Sequence, residues 1–373
     1  MRAFPVSLIV LGFLPSCGAR TELQEATYVA LPTEQVLYAG PATAHEGPAK
    51  TCVEGTFTLD RARPKVLFVI DRSGSMAQGL DNSKKPPSRW VTLRDSLAAV
   101  LPGVESSVEL GALFFPATSE FGQNIRCSVS PSVDLEPALF QAQALLAPFF
   151  TTSPGGFTPT YEALSVAHAY LQSTRAASSA RTIVLATDGG PNCNTSLDPK
   201  TCICVAGKQT SAGCSGGLGG GGTDSCLDDT RTVNEVAALH DSGIPTYVIG
   251  LGDEVQNEYG SVLDAMAVAG GRPRSGPDGR KYYGASSPAE LTSAVETIRD
   301  QVTRCTFLTP SVPDKPDGIQ VRINGVDVDE DDSGQEGWSF ADKPNGEISI
   351  HGVACEQAAM TEAKVEATVE CNP

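Results

Sequence analysis

Short, nearly unbroken apolar runs alternate along this chain with longer stretches in which apolar residues recur every three to four positions. The runs Lys65–Ile70, Val108–Phe115, Thr182–Ala186 and Thr246–Leu251 have the composition of strands covered on both faces. Between and after them, Trp90, Leu93, Leu97 and Leu101 form one helical stripe and Tyr161, Leu164, Ala167 and Leu171 a second. Val233, Val236 and Leu239 form a third, Val262, Met266 and Ala269 a fourth, and Leu291, Val295, Ile298 and Val302 a fifth. Strand and helix in strict alternation predict an α/β fold, a doubly wound, mostly parallel sheet flanked by helices. A short edge strand is expected near Lys281–Tyr283. After Cys305 the texture changes: Gly318–Gly325 alternates with period two and ends in an Asn-Gly turn signal, and Glu347–Ile350 reads as another strand. Residues 306–373 are therefore expected to form a small β-rich, disulfide-stapled appendage.

In an open α/β sheet, ligands bind beyond the carboxyl ends of the strands. The first strand runs into Asp71-Arg-Ser73-Gly-Ser75-Met76, where an acid and two hydroxyls can aim at one point. The later run Thr182–Ala186 ends in Thr187-Asp188-Gly-Gly, a second carboxylate at the same edge. Between them Gly155-Gly-Phe-Thr158-Pro159-Thr160 opens a helix, with Thr158 in an N-cap-like position and Pro159 in the first turn.

These residues resemble the von Willebrand factor type A (VWA) domain with a metal-ion-dependent adhesion site. That family places Asp-x-Ser-x-Ser after its first strand, a Thr in a Gly-rich loop before a middle helix, and an Asp after its fourth strand. Asp71, Ser73, Ser75, Thr158 and Asp188 stand at those five positions, within a resemblance spanning about residues 60–304. The resemblance implies a Rossmann-like fold and a Mg²⁺ ion, or Mn²⁺ or Ca²⁺, held by these five. It also implies a position on that ion for an acidic residue of a protein or other macromolecular partner. Hydroxyls and carboxylates are the hard donors such ions prefer, and the bound cation would let an acidic protein attract a carboxylate. The polar insert Gln78–Pro87 and the cysteine-rich segment 191–227 depart from the family pattern on the partner-binding face.

The amino terminus reads as an export signal. An apolar stretch, Phe4–Leu14, is too short to span a bilayer and ends in Leu14-Pro15-Ser16-Cys17, which resembles the bacterial lipobox. On that reading residues 1–16 are the signal peptide and Cys17 carries a lipid. Cleavage after Ala19 without a lipid is the alternative, giving a secreted or periplasmic soluble protein. Residues 17–50 read as a tether, 51–305 as the VWA domain and 306–373 as the appendage. Without Cys17, ten cysteines remain: Cys52, Cys127, Cys193, Cys202, Cys204, Cys214, Cys226, Cys305, Cys355 and Cys371. An even number in an exported chain suits five disulfides. Cys127 is the expected partner for a cysteine of the 193–226 cluster, Cys355 is expected to pair with Cys371, and Cys52 is set against Cys305.

With 27 Lys and Arg against 44 Asp and Glu, the formal charge of −17 excludes a polyanion-binding protein, since phosphate contacts need clustered basic residues. Gly217–Gly222 formally matches Gly-x-Gly-x-x-Gly, yet no strand precedes it and a dinucleotide site is not expected. Cys202-Ile-Cys204 is too tightly spaced for a zinc pair. The acidic turn of Asp327, Asp329, Glu330, Asp331 and Asp332 lacks the spacing of a calcium loop and reads as a solvated hairpin. His45, His168, His240 and His351 are scattered, with no triad assembled in sequence. The expected function is a non-enzymatic, cation-dependent binding or adhesion module on a lipoprotein of the bacterial outer membrane or cell surface. A structural envelope component, or a metal-dependent hydrolase, are the alternatives.

Overall fold

The computed structural model describes residues 52–373 except for 119–125, 175–179, 206–207, 216–221, 253–258, 314, 316–317, 344–345, 361 and 372–373. The signal peptide, Cys17 and the tether lie outside the described residues, as does nearly all of Gly217–Gly222.

The chain opens with two short strands, β1 (Gly55–Thr58) and β2 (Asp60–Arg61), and then enters β3 (Lys65–Asp71), α1 (Arg89–Val100), β4 (Glu109–Phe115) and β5 (Leu135–Ala138). Two short helices, α2 (Ala142–Leu146) and α3 (Pro148–Thr151), lead to α4 (Thr160–Ser173) and β6 (Arg181–Thr187). A small hairpin, β7 (Lys208–Thr210) and β8 (Gly213–Ser215), precedes α5 (Asp229–Asp241), β9 (Thr246–Leu251), α6 (Gly260–Ala269), β10 (Tyr283–Ala285) and α7 (Pro288–Arg304).

The central sheet has the order β10-β9-β6-β3-β4-β5. Every neighbour pair is parallel except β4 with β5. The expected α/β fold is present, with the edge strand two residues later than the sequence suggested; the antiparallel β5 carries no strong apolar period and was not anticipated. Each of the four long strands is buried on both faces because helices cover both. One core layer packs Trp90, Leu93, Leu97, Leu291, Val295 and Ile298 on the sheet, and the other packs Leu164, Leu171, Val236, Leu239 and Met266. The helix starts follow local chemistry. Ser88 Oγ accepts the Val91 N–H at α1, and Ser287 Oγ accepts the Glu290 N–H at α7, where Pro288 occupies the first turn and Glu290 accepts from the Ser286 N–H.

After α7 come β11 (Thr306–Leu308), β12 (Ile319–Ile323), β13 (Val326–Val328), β14 (Gly337–Asp342), β15 (Glu347–His351), α8 (Gly352–Ala358) and β16 (Val365–Val369). They form two four-stranded sheets, β1-β16-β12-β13 and β14-β15-β11-β2, around Trp338, Phe307, Val321, Ile348 and Ala367. The appendage is thus built from both ends of the described chain. Residues 55–61 pair with 307–308 and 366–369 and belong to this lobe rather than to the domain expected to start at 51.

That pairing also corrects two disulfides. The antiparallel register Gly55↔Val369 brings Cys52 beside Cys371, and these bond, not Cys355 with Cys371. Cys305, at the end of α7, meets Cys355 of α8 because β11 pairs with β15, so Cys52 and Cys305 do not bond. Cys127–Cys193 forms as expected, while Cys202–Cys226 and Cys204–Cys214 close the insert. All five have Cα separations of 5.4–5.7 Å, normal for disulfides. Non-reducing peptide mapping is expected to return these five pairs; a Cys355–Cys371 peptide would contradict the strand pairing itself.

Candidate metal centre

The connection from β3 to β4 runs one way along the sheet, and the chain then crosses back to place β6 on the other side of β3. The carboxyl ends of β3 and β6 therefore flank the topological switch point, where an open α/β sheet leaves a crevice. Asp71 is the last residue of β3, and Asp188 follows the last residue of β6. Both carboxylates are buried.

The side chains interlock. Asp71 Oδ1 accepts the Ser73 N–H at 2.7 Å and Oδ2 accepts the Thr187 hydroxyl at 2.6 Å. Ser73 Oγ and Ser75 Oγ lie 3.0 Å apart, and Ser75 Oγ donates to Asp188 Oδ1 at 2.7 Å. Four of the five expected residues thus form one hydrogen-bonded cluster. Thr158 arrives on a separate loop that is laced to the others: Gly74 N–H donates to Gly156 O, and Gly155 N–H to Arg72 O. Asn192 holds Thr158 from both sides, accepting its N–H on Oδ1 at 2.8 Å and donating its own N–H to the Thr158 carbonyl at 2.9 Å. Helix α4 begins at Thr160 with Pro159 in the cap position and no side-chain cap. Thr158 therefore lies one residue further out than the sequence suggested, because the proline ring takes the turn.

Burial dominates the electrostatics. Burial first, and then the neighbouring Asp188, push the Asp71 carboxyl up to about 7. Burial also raises Asp188, against the opposing pull of Arg89. Two adjacent carboxylates out of water, with hydroxyls between them, make an all-oxygen donor set of the hard kind. The residues present fit a hard divalent cation on that ground.

Sequence reasoning missed Arg89. Its Nη1 donates to Asp188 Oδ2 at 2.6 Å with both side chains fully buried, and its Nη2 donates to Asn82 Oδ1. The insert 78–87 folds inward to make this possible: Leu80 is buried in the core, and the Arg89 N–H donates to Gln78 O. One signal was available, since a cation in the first turn of a helix with no acid beside it opposes the helix dipole and needs a partner elsewhere. Thr187 and Asn192 carried no comparable signal.

The remaining candidates fall elsewhere. Cys202, Cys214 and Cys226 have sulfurs close together, but all three are in disulfides. In the acidic turn, Asp327 pairs with Arg322, and Asp331 accepts from Ser333 and the Glu336 N–H. His168 bridges α4 and α5, with Nδ1 2.8 Å from Glu235 and Nε2 3.1 Å from Ser242 Oγ. This Ser-His-Glu contact has the outline of a triad. The Ser242 hydroxyl, however, donates to the Ala238 carbonyl, and the Ser242 and Gly243 N–H groups close the end of α5. Among the described residues, no pair of N–H groups is left there for an oxyanion.

Residues 66–191 match the family model of the von Willebrand factor type A domain. Solved structures similar to this chain include the PilB minor pilin from Streptococcus sanguinis, at 20% identity and TM-score 0.44, covering 65% of this chain and 62% of that one. The pilus adhesin SpaC from Lactobacillus rhamnosus GG is 14% identical with TM-score 0.44, covering 84% of this chain and 40% of that one. The manganese-loaded TRAP protein of Plasmodium vivax is 15% identical with TM-score 0.40, covering 65% of this chain and 76% of that one. The chain thus spans less than two thirds of the pilin and of SpaC. No curated protein matches it.

Proposed function

We propose, from the match of residues 66–191 to the von Willebrand factor type A family model, that the crevice at β3 and β6 is a metal-ion-dependent adhesion site serving cation-dependent capture of a macromolecular partner. Asp71, Ser73, Ser75, Thr158 and Asp188 would hold Mg²⁺, Mn²⁺ or Ca²⁺. When bound, such an ion supplies a Lewis-acidic positive centre to which a carboxylate of the partner can attach. The observation that carries this reading is the buried, hydrogen-bonded cluster of Asp71, Ser73, Ser75 and Asp188 at the topological switch point.

The chain's own residues do the positioning. Thr187 and the Ser73 N–H fix the Asp71 carboxylate, Asn192 fixes the Thr158 loop, and the Cys127–Cys193 disulfide ties together the segments after β4 and β6. On this reading the protein is a non-enzymatic adhesion module. The ten paired cysteines support export to an oxidising compartment. No helix among the described residues is long and apolar enough to cross a membrane. A lipid on Cys17 would anchor the protein at the bacterial outer membrane or cell surface. The purely structural reading, in which the ion only closes the sheet edge, has less support. Asp188 already has a cationic partner in Arg89, and the loops are already laced together.

The carboxyl of Asp71 makes a test available. Because its proton is held up to about pH 7, cation binding must displace that proton below neutrality and need not above it. Mg²⁺ affinity measured calorimetrically is expected to rise about tenfold from pH 6 to pH 8, with proton release at the lower pH. Absence of saturable binding at both pH values would contradict the reading.

A further inference from the structure

Three segments of the chain are shaped around the guanidinium of Arg89. The insert 78–87 supplies Asn82 Oδ1 as an acceptor for Nη2, and its first residue, Gln78, accepts the Arg89 N–H. The start of α1 presents the side chain inward, towards Asp188. Gly252, just after β9, lies directly against it: Gly252 has φ +91°, and a Cβ there would lie 2.8 Å from Arg89 Nε and 3.0 Å from Nη2. Any other residue at 252 would meet the guanidinium and a left-handed backbone together. The neighbouring Arg72 does not duplicate this role, because its Nη2 donates to the Pro116 carbonyl at 2.8 Å and it faces Asp134.

We propose that Arg89 is the residue that sets the charge, and thereby the ligand preference, of the adhesion site. This rests on the cation-binding reading above and deepens it. With Asp71 and Asp188 alone, one divalent cation would leave the cluster neutral. With Arg89 fixed on Asp188 Oδ2, the same ion leaves one positive charge over, buried where water screens it weakly. That surplus lowers the affinity for the cation and strengthens the attraction for an anionic ligand arriving at the crevice. The guanidinium also neutralises Asp188 when no cation is bound, so the site keeps its shape while empty.

The test uses the full oxidised protein with Mn²⁺ as probe, free ion being followed by electron paramagnetic resonance, in the parent, Arg89→Met and Arg89→Lys. Met keeps approximate volume without charge, and Lys keeps charge without the planar fork. Arg89→Met is expected to bind Mn²⁺ at least about tenfold more tightly than the parent, with Arg89→Lys within about threefold of the parent. Acetate, added to the Mn²⁺-loaded proteins, is expected to displace water from the ion at lower concentration in the parent than in Arg89→Met, read by water-proton relaxation. If Arg89→Met binds Mn²⁺ no better than the parent, or if Lys behaves like Met, the charge-setting role is overturned while cation binding stands. If the parent itself binds no Mn²⁺, the adhesion-site reading falls and takes this inference with it. Should Arg89→Met fail to fold, the parent's Arg89 guanidinium proton resonances decide: they are expected to stay protected from exchange when Mg²⁺ saturates the protein. Their loss would show that the ion displaces Arg89 and would overturn the proposal.

Discussion

Asp188→Ala is expected to destabilise the chelator-treated protein by about 3–5 kcal/mol, because it strands a buried guanidinium. Arg89 and Asp188 are both fully buried and 2.6 Å apart. Removing the carboxylate also leaves Ser75 Oγ without the acceptor it has at 2.7 Å, a further contribution to the loss. The companion variant Asp188→Ala/Arg89→Met removes both charges of the pair. It is expected to recover most of the stability, since a buried ion pair replaced by apolar groups is often close to neutral. Urea unfolding with unchanged m-values measures both. A single-variant loss below about 1 kcal/mol would mean that the guanidinium finds another acceptor in the folded state.

The second large effect lies where the two lobes meet. Arg181, at the start of β6, pairs with Asp342 of β14 at 2.8 Å, both buried. Beside them Glu347 of β15 is buried. Burial pushes this carboxyl up to about 8, with Arg272 pulling down, Asp342 pushing up and Arg181 pulling down in decreasing order. A carboxyl raised in the folded state contributes stability that is fully present below its unfolded value of about 4.5 and is lost as pH rises through about 8. His351 acts in the opposite direction: burial and Arg272 push it down to about 3. Its contribution is therefore complete above about pH 6.5, the ordinary histidine value. The interval from pH 6.5 to 8 isolates Glu347 from His351. Glu347→Gln is expected to gain about 1–2 kcal/mol over the parent across that interval, because the parent's unfolded chain is ionised there while its folded carboxyl still holds the proton. Parallel stability–pH curves for parent and variant would rule out a buried neutral Glu347.

The parts of the fold legible in the sequence are those whose cause is local. Val66–Ile70 and Ile183–Ala186 are buried on both faces, so their apolar runs are uninterrupted and easily recognised. The stripes at Trp90 and Leu291 face one core layer and keep the helical period for the same reason. The candidate site positions stand out because Asp71, Ser73, Ser75 and Asp188 directly follow such runs, in the order of a known family motif. What escaped depends on residues far apart in sequence. Gly55–Thr58 carries no sign that its partner is 366–369, and with that pairing hidden, the Cys52–Cys371 and Cys305–Cys355 bonds could not be deduced. Strand β5, with Pro137 inside it and a shift in register against β4, reads as a loop because an edge strand needs neither continuous apolarity nor every backbone donor. Arg89 becomes a partner for Asp188 only through the inward fold of Leu80 and Asn82.

The central claim is that Asp71 and Asp188 with their hydroxyl neighbours bind a divalent cation. It is tested most directly by isothermal titration of the oxidised protein with Mn²⁺ at pH 8, beside Asp71→Asn. The amide can still accept from the Ser73 N–H but carries no charge, so the fold is preserved while the donor set loses a carboxylate. The account predicts one saturable site in the parent and a loss of affinity of at least about a hundredfold in the variant. Identical isotherms for parent and Asp71→Asn, binding or not, would contradict it.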